Sequence, residues 1–326
     1  MEQFDLVRQD SDHNYYVVGQ SSTASIIVAR FSSSFNLDTT AFGCDTNLPP
    51  VCSGYREYNF SFAEAKAYDA VLYNDELYVV GSVTESSAPT SPDGLVFKLT
   101  YDGSLDPTFG SSSGFTQVYG NAGNPLHYKS VASDATGLYI LTSTDGVNDD
   151  LISVSYYDWT GQFIQDQPLT ADGQLKALDL QSDGVAIWVL QQFSNPNYGA
   201  VGSVSFNWVG KYQLTTLLAD TSFSADGQRW FNAGFSSDTV QGSQRLVLGS
   251  QVNKTLFYGY SYSYVNGNYQ QAFVGRLTSS GALDQSFGNH GLVLLADDQL
   301  AEMEVNTVLE AGSNQLYVAG SGLDTN

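Results

Sequence analysis

The chain has 326 residues, only 14% of them charged, and 34 Asp and Glu against 12 Lys and Arg leave a formal net charge of −22. That excess repels a phosphate backbone and excludes nucleic acid as a partner. No run reaches the roughly 20 apolar residues of a membrane-spanning helix, and 31 Gly and 21 Tyr with little Lys suit short strands joined by tight turns.

From the N-terminus, Met1 leads directly into strand-like sequence without the pattern of a signal peptide, so the chain reads as a processed or recombinant mature segment. An apolar strand that often ends in glycine then recurs: YYVVG from Tyr15, LYVVG from Leu77, LYILT from Leu138, IWVLQ from Ile187, LFYGY from Leu256 and LYVAG from Leu316. Each is preceded by an Asp, Asn and Gly cluster of hairpin type and, before that, by another alternating run. Two segments rich in Ala, Glu and Leu, FAEAKAYDA after Ser61 and LAEMEV after Gln299, are ambiguous between strand and short helix.

A longer string follows in most units. It is clearest in LVFKLTYDGSLDPTFGSSSGFTQV (Leu95–Val118) and AFVGRLTSSGALDQSFGNHGLVLL (Ala272–Leu295), which match in spacing residue for residue. Phe273, Gly275 and Leu277 alternate with Val274 and Arg276 in the period-two pattern of a half-buried strand. The shared positions are Leu105, Asp106, Phe109 and Gly110 in one copy and Leu283, Asp284, Phe287 and Gly288 in the other. Looser copies keep Leu37, Asp38, Phe42 and Gly43, or Asp220 and Phe223, and a decayed copy runs through ISVSYYDWTGQFIQDQPL to Leu169. The Asp residues recur in register, which predicts turn capping rather than one active site.

The spacing therefore predicts four strands per unit: the run before the hairpin turn, the LYVVG-like strand, the VGRL-like strand and the strand after the LDxSFG corner. Four antiparallel strands repeated about every sixty residues predict an all-β chain, a single β-propeller domain over 1–326. Its units fall at about 1–61, 62–120, 121–170, 171–235, 236–296 and 297–326. The sixth is partial. Six blades with the last one incomplete is the favoured count, against five blades plus an extra hairpin or a piece of a longer protein.

These repeats resemble the bacterial delta-sixty repeat family, whose signature is a strand followed by DGxLDxSFGxxG. The resemblance implies a propeller-type architecture in bacterial surface, secreted or periplasmic proteins, and brings no catalytic motif.

Cys44 and Cys52 flank a short loop and suit a disulfide, which requires an oxidising compartment. Calcium is the metal candidate, because Asp145, Asn148, Asp149 and Asp150 offer hard oxygen ligands within one loop. Tyr198, Tyr262, Tyr264 and Tyr269, flanked by Asn and Gln, are candidate contact residues for a protein or glycan. They lie in or near the loops between second and third strands, the natural place for binding diversity. His13 in SDHN and His290 in GNHG read as turn residues, and His127 as a structural residue at a strand start. No catalytic residue is assigned. The function expected is a non-catalytic secreted or cell-surface module for adhesion, envelope assembly or glycan or protein binding. The alternatives are a carbohydrate-active hydrolase or lyase with carboxylates at a central funnel, and a structural subunit of a larger extracellular assembly.

Overall fold

The computed structural model describes residues 3–45, 50–87, 91–119, 125–144, 151–169, 174–195, 204–231, 239–248, 255–263, 269–295, 300–311 and 315–324. They form strands, turns and a single turn of π-helix at Gly110–Gly114. Both helix-or-strand ambiguities resolve as strands, Glu64–Tyr73 and Leu300–Ala311. Local propensity yields there to pairing with the apolar strand that follows each.

The chain divides into two compact bodies, Met1–Leu169 and Thr170–Asn326. The first holds three four-stranded antiparallel sheets. They are β1 (Gln3–Gln9), β2 (Tyr15–Ser22), β3 (Ser25–Phe31) and β4 (Tyr55–Asn59); β5 (Glu64–Tyr73), β6 (Glu76–Thr84), β7 (Asp93–Leu99) and β8 (Phe115–Val118); and β9 (Leu126–Ser133), β10 (Leu138–Thr144), β11 (Leu151–Tyr157) and β12 (Phe163–Pro168). The second body holds β13 (Gln174–Ser182), β14 (Ala186–Asn195), β15 (Val204–Gln213) and β16 (Gln228–Phe231), then β17 (Thr239–Leu248), β18 (Thr255–Ser263), β19 (Tyr269–Leu277) and β20 (Leu292–Leu295). A final hairpin, β21 (Leu300–Ala311) and β22 (Gln315–Asp324), joins the last sheet through one parallel bridge, Gln270 to Glu302. Among the described residues there are thus five four-stranded units and a two-stranded sixth.

Apolar cores lie between successive sheets. Val18, Val28 and Phe42 of the first unit pack with Ala67, Val79 and Phe97 of the second. On the other face of that second sheet, Tyr78, Val80 and Phe109 pack with Val131, Ile140 and Tyr157. In the second body Trp188 and Phe223 pack with Phe257 and Phe273, and Tyr258 and Val274 with Val305 and Val308. A sheet covered on both faces needs apolar side chains at odd and even positions alike, which is why β6 is buried almost end to end. The outermost β12 instead alternates between exposed and half-buried residues.

Every first strand carries a β-bulge at the same register position: Asp5, Tyr68, Lys129, Leu178, Gln244 and Asn306. First strands of consecutive units within a body pack on one another, and in β5 and β13 a buried carboxylate just after the bulge ties neighbouring strands. In β5 the Asp69 carboxylate accepts from Arg8 Nη2 at 2.5 Å, from Ser130 Oγ at 2.7 Å and from the Val131 N–H at 3.1 Å, linking β1, β5 and β9. Asp179 of β13 likewise accepts the Leu246 N–H of β17 at 2.8 Å.

A second device links neighbouring units. Gly103, Gly161 and Gly281 occupy the positive-φ position of the turn after the third strand. A Cβ at these glycines would lie 2.7, 2.8 and 2.2 Å from the ring carbons of Phe42, Phe109 and Phe223 respectively. The motif Phe of one unit is thus a knob seated on the turn glycine of the next, and only glycine admits it. Where no such Phe precedes, the glycine is gone: the first unit has Phe35 at φ 57°, and the fourth, which follows the decayed copy, has Leu217 at φ 53°.

Cys44 and Cys52 form a disulfide across eight positions. Its reduction is expected to cost about 2–3 kcal/mol on the loop-entropy account. Comparing unfolding midpoints with and without reductant, with Cys44→Ser as control, checks this; an unchanged midpoint would remove the disulfide from the stabilising interactions.

Candidate functional site

Hydrolytic chemistry on this scaffold would draw on carboxylates, of which four recur in register. Each sits in the corner after the third strand, and its two oxygens do different work. One Oδ caps the turn: Asp38 accepts the Thr40 and Ala41 N–H groups at 3.1 Å, Asp106 that of Thr108 at 2.9 Å, Asp220 that of Ser222 at 3.0 Å and Asp284 that of Ser286 at 3.1 Å. The other pairs with a cation on the third strand: Asp106 with Lys98 at 2.7 Å, Asp220 with Lys211 at 3.1 Å, Asp284 with Arg276 Nε at 2.8 Å and Asp38 with Arg30 Nε at 2.7 Å. The same two residues are joined through the backbone, as in the 2.9 Å bond from the Asp106 N–H to the Lys98 carbonyl.

Capping was legible in the sequence; the ion pair was not inferred. Its signal was there, a lone Arg or Lys eight or nine positions before each Asp. The decayed third copy supports the coupling: Tyr156 stands where the cation would be and Ile164 where the acid would be, so both charges are lost together. Tyr156 stacks on Tyr139 and donates to the Thr136 carbonyl.

For Asp38 and Asp106, burial alone would raise the carboxyl pKa. Hydrogen bonds from Thr40 and Arg30, and from Lys98 and Thr108, outweigh it and hold both below the ordinary carboxylate value. Asp220 is lowered first by the Ser222 hydroxyl and then by Lys211. With folded values below the unfolded value of about 4, these groups contribute stability that is complete above that pH and lost as pH falls through the folded values. Stability is therefore expected to be flat from pH 7 to 5 and to drop below about pH 4, more weakly in Asp106→Asn; denaturant titrations across that window check it.

A polar cluster that does not follow the repeat lies on the first strands of the second and third units. Lys66, exposed, and Tyr68, half-buried, come from β5, and His127 and Lys129 come from the adjoining β9. The Tyr68 ring sits 5.1 Å from Lys66 Nζ and 4.8 Å from Lys129 Nζ, and its hydroxyl is 3.5 Å from His127 Nδ1. The Tyr68 and His127 rings meet edge to face at 6.0 Å. Directly behind, the buried Asp69 fixes both strands, so the bulges at Tyr68 and Lys129 aim these side chains from a rigid base.

The residues singled out by sequence are placed as follows. Asp145, Asn148, Asp149 and Asp150 lie outside the described residues, as do Tyr198 and Tyr264. Tyr262 and Tyr269 stand on β18 and β19, one step apart in the ladder: Tyr262 opposes Gln270, and Ser263 opposes Tyr269. His13 and His290 are exposed turn residues with φ of 64° and 53°. His127, 8% exposed, belongs to the polar cluster, which sequence reading missed because it depends on two bulges in different units. Phe42, Phe109 and Phe223 are buried, whereas Phe287 is only half-buried under the Arg276 guanidinium. Among the described residues no group of three or more His, Cys, Asp or Glu is placed to hold a metal ion, and no helix is long and apolar enough to cross a membrane.

With this geometry in hand, comparison with known proteins identifies the architecture. Residues 74–109, which run through β6, β7 and the second corner, match a family described as a domain of unknown function (DUF5122) beta-propeller. Among solved structures, Drosophila semaphorin 2a superposes with a TM-score of 0.52 at 10% identity, over 91% of this chain and 52% of that one. The chain thus spans about half the length of that semaphorin. Drosophila plexin A, solved in complex with semaphorin 1b, gives 0.47 at 7% identity, covering 98% of this chain and 72% of that one. An exo-1,5-α-L-arabinanase from a bovine ruminal metagenomic library gives 0.42 at 10% identity, covering 89% and 95%. No curated protein matches the sequence. At such identities the likeness is one of fold: the sheets are blades of β-propeller type, an architecture found in enzymes and non-enzymes alike.

Proposed function

We propose that this protein is a non-catalytic interaction module of the delta-sixty repeat type that works outside the cytoplasm, secreted or at a bacterial cell surface. The observation that carries the proposal is the state of its recurrent carboxylates. Asp38, Asp106, Asp220 and Asp284 each spend one oxygen on a turn and the other on a cation of the same blade. A glycosidase needs instead two carboxylates facing a shared space, one to protonate and one to attack or activate water. The Cys44–Cys52 disulfide supports an oxidising compartment. The loops between second and third strands, including 145–150, are the proposed contact surface for a protein or glycan.

The test pairs two measurements on the full chain: release of reducing ends from arabinan and other cell-wall polysaccharides, and binding to intact cell envelopes before and after residues 145–150 are replaced by Gly and Ser. Saturable binding lost on loop replacement, with no reducing ends released, is the expected result. Hydrolysis that disappears in a carboxylate-to-amide variant would overturn the proposal in favour of the hydrolase.

A further inference from the structure

The geometry points to a carboxylate-binding site at Lys66, Tyr68, His127 and Lys129, suited to a uronate or similar hydroxy-carboxylate. Cations are scarce in this chain, 12 against 34 acids, and five of the described ones are held in ion pairs. Arg30, Lys98, Lys211 and Arg276 are neutralised in the corners and Arg8 by Asp69. Lys66 and Lys129 have no carboxylate within ion-pair distance among the described residues, although both ammonium groups gather around one tyrosine ring.

Two like charges held about one ring repel each other, and cation–π attraction of about 0.5–1 kcal/mol per exposed pair offsets only part of that. An anion bound beside the ring offsets that repulsion and gains a charge-assisted hydrogen bond from the lysine it reaches. The surrounding charge selects its size. A chain of net charge −22 repels an extended polyanion. Screening confines that field to about 8–10 Å, so a single carboxylate responds mainly to the two nearby lysines. The Tyr68 hydroxyl, 3.5 Å from His127 Nδ1, adds a polar group beside the lysines, which suits a hydroxyl adjacent to the carboxylate. Asp69 behind them supplies the rigidity that limits the ordering cost of binding.

The site stands on β5 and β9 and does not require the non-catalytic reading: galacturonate that binds and is left unchanged supports both, whereas bound substrate that is turned over keeps the site and removes that reading. The experiment is calorimetric titration of the full chain at low salt with D-galacturonate, galactose and acetate. Galacturonate is expected to bind more tightly than acetate, and galactose not measurably. The Lys66→Gln/Lys129→Gln double variant should raise the galacturonate Kd at least about tenfold without moving the unfolding midpoint, and Tyr68→Phe should weaken galacturonate but not acetate. Acetate binding as tightly as galacturonate would overturn the hydroxyl contact. Galacturonate binding unaltered in the double variant, or no binding of either carboxylate, would overturn the site itself.

Discussion

Asp38→Ala is expected to destabilise the protein by about 3–5 kcal/mol, because it strands a buried guanidinium. Arg30 is fully buried, and its remaining contacts are the Tyr101 carbonyl at 2.7 Å, the Tyr16 hydroxyl at 3.3 Å and the Tyr101 ring at 3.9 Å. None carries a formal charge. Desolvation of the cation would then go uncompensated, and the Thr40 and Ala41 N–H groups would lose their cap as well. Removing both charges is a different matter, since a buried pair is often no more stable than the apolar groups that could replace it. Arg30→Tyr combined with Asp38→Ile, the pair of residues the third unit already uses, should therefore recover most of the loss. Urea unfolding of the two single variants and the double variant measures the coupling directly. A single-variant loss below about 1 kcal/mol would show the corner ion pair to be incidental.

Phe109→Ala is expected to cost about 3–5 kcal/mol through loss of buried area and the cavity left behind. Phe109 is fully buried, edge to face with Tyr78 at 5.8 Å, and its tip rests on Gly161. Gly161→Ala attacks the same joint from the other side, bringing a Cβ to within 2.8 Å of the Phe109 ring at a φ of 80°. It should cost about 1–3 kcal/mol from overpacking, with backbone strain in addition. The two costs should not add. Once Phe109 is alanine the steric part of the Gly161 penalty vanishes and only the φ penalty remains, so the double variant should be more stable than the sum predicts. Strict additivity would mean that the two units do not meet at this contact in solution.

The corners were readable because everything that shapes them is local. Asp106 and the N–H it caps lie two positions apart, and the turn glycine announces its own positive φ. The Lys98–Asp106 pair was within reach as well, eight positions apart and repeated four times in related form, but a strand cation is easily taken for a solvated one. The Phe–Gly joint was harder. Phe109 and Gly161 belong to different repeats, and only the pattern of retained and lost glycines links them. The Lys66, Tyr68, His127 and Lys129 cluster had no local signal at all, because a bulge on each of two strands some sixty residues apart sets which side chains share a face.

The repeating unit was legible in the chain alone: four strands in each complete copy, the capped corners and the disulfide between Cys44 and Cys52. Those features follow from period-two burial, turn chemistry and loop closure, all interactions among residues near one another in the chain. Tertiary structure decided which groups from different units would meet. The Arg8–Asp69–Ser130 tie, the seat of each Phe on the next unit's glycine, and the gathering of two lysines around Tyr68 all require stacked sheets, since no residue in those sets can find its partner until neighbouring blades have packed.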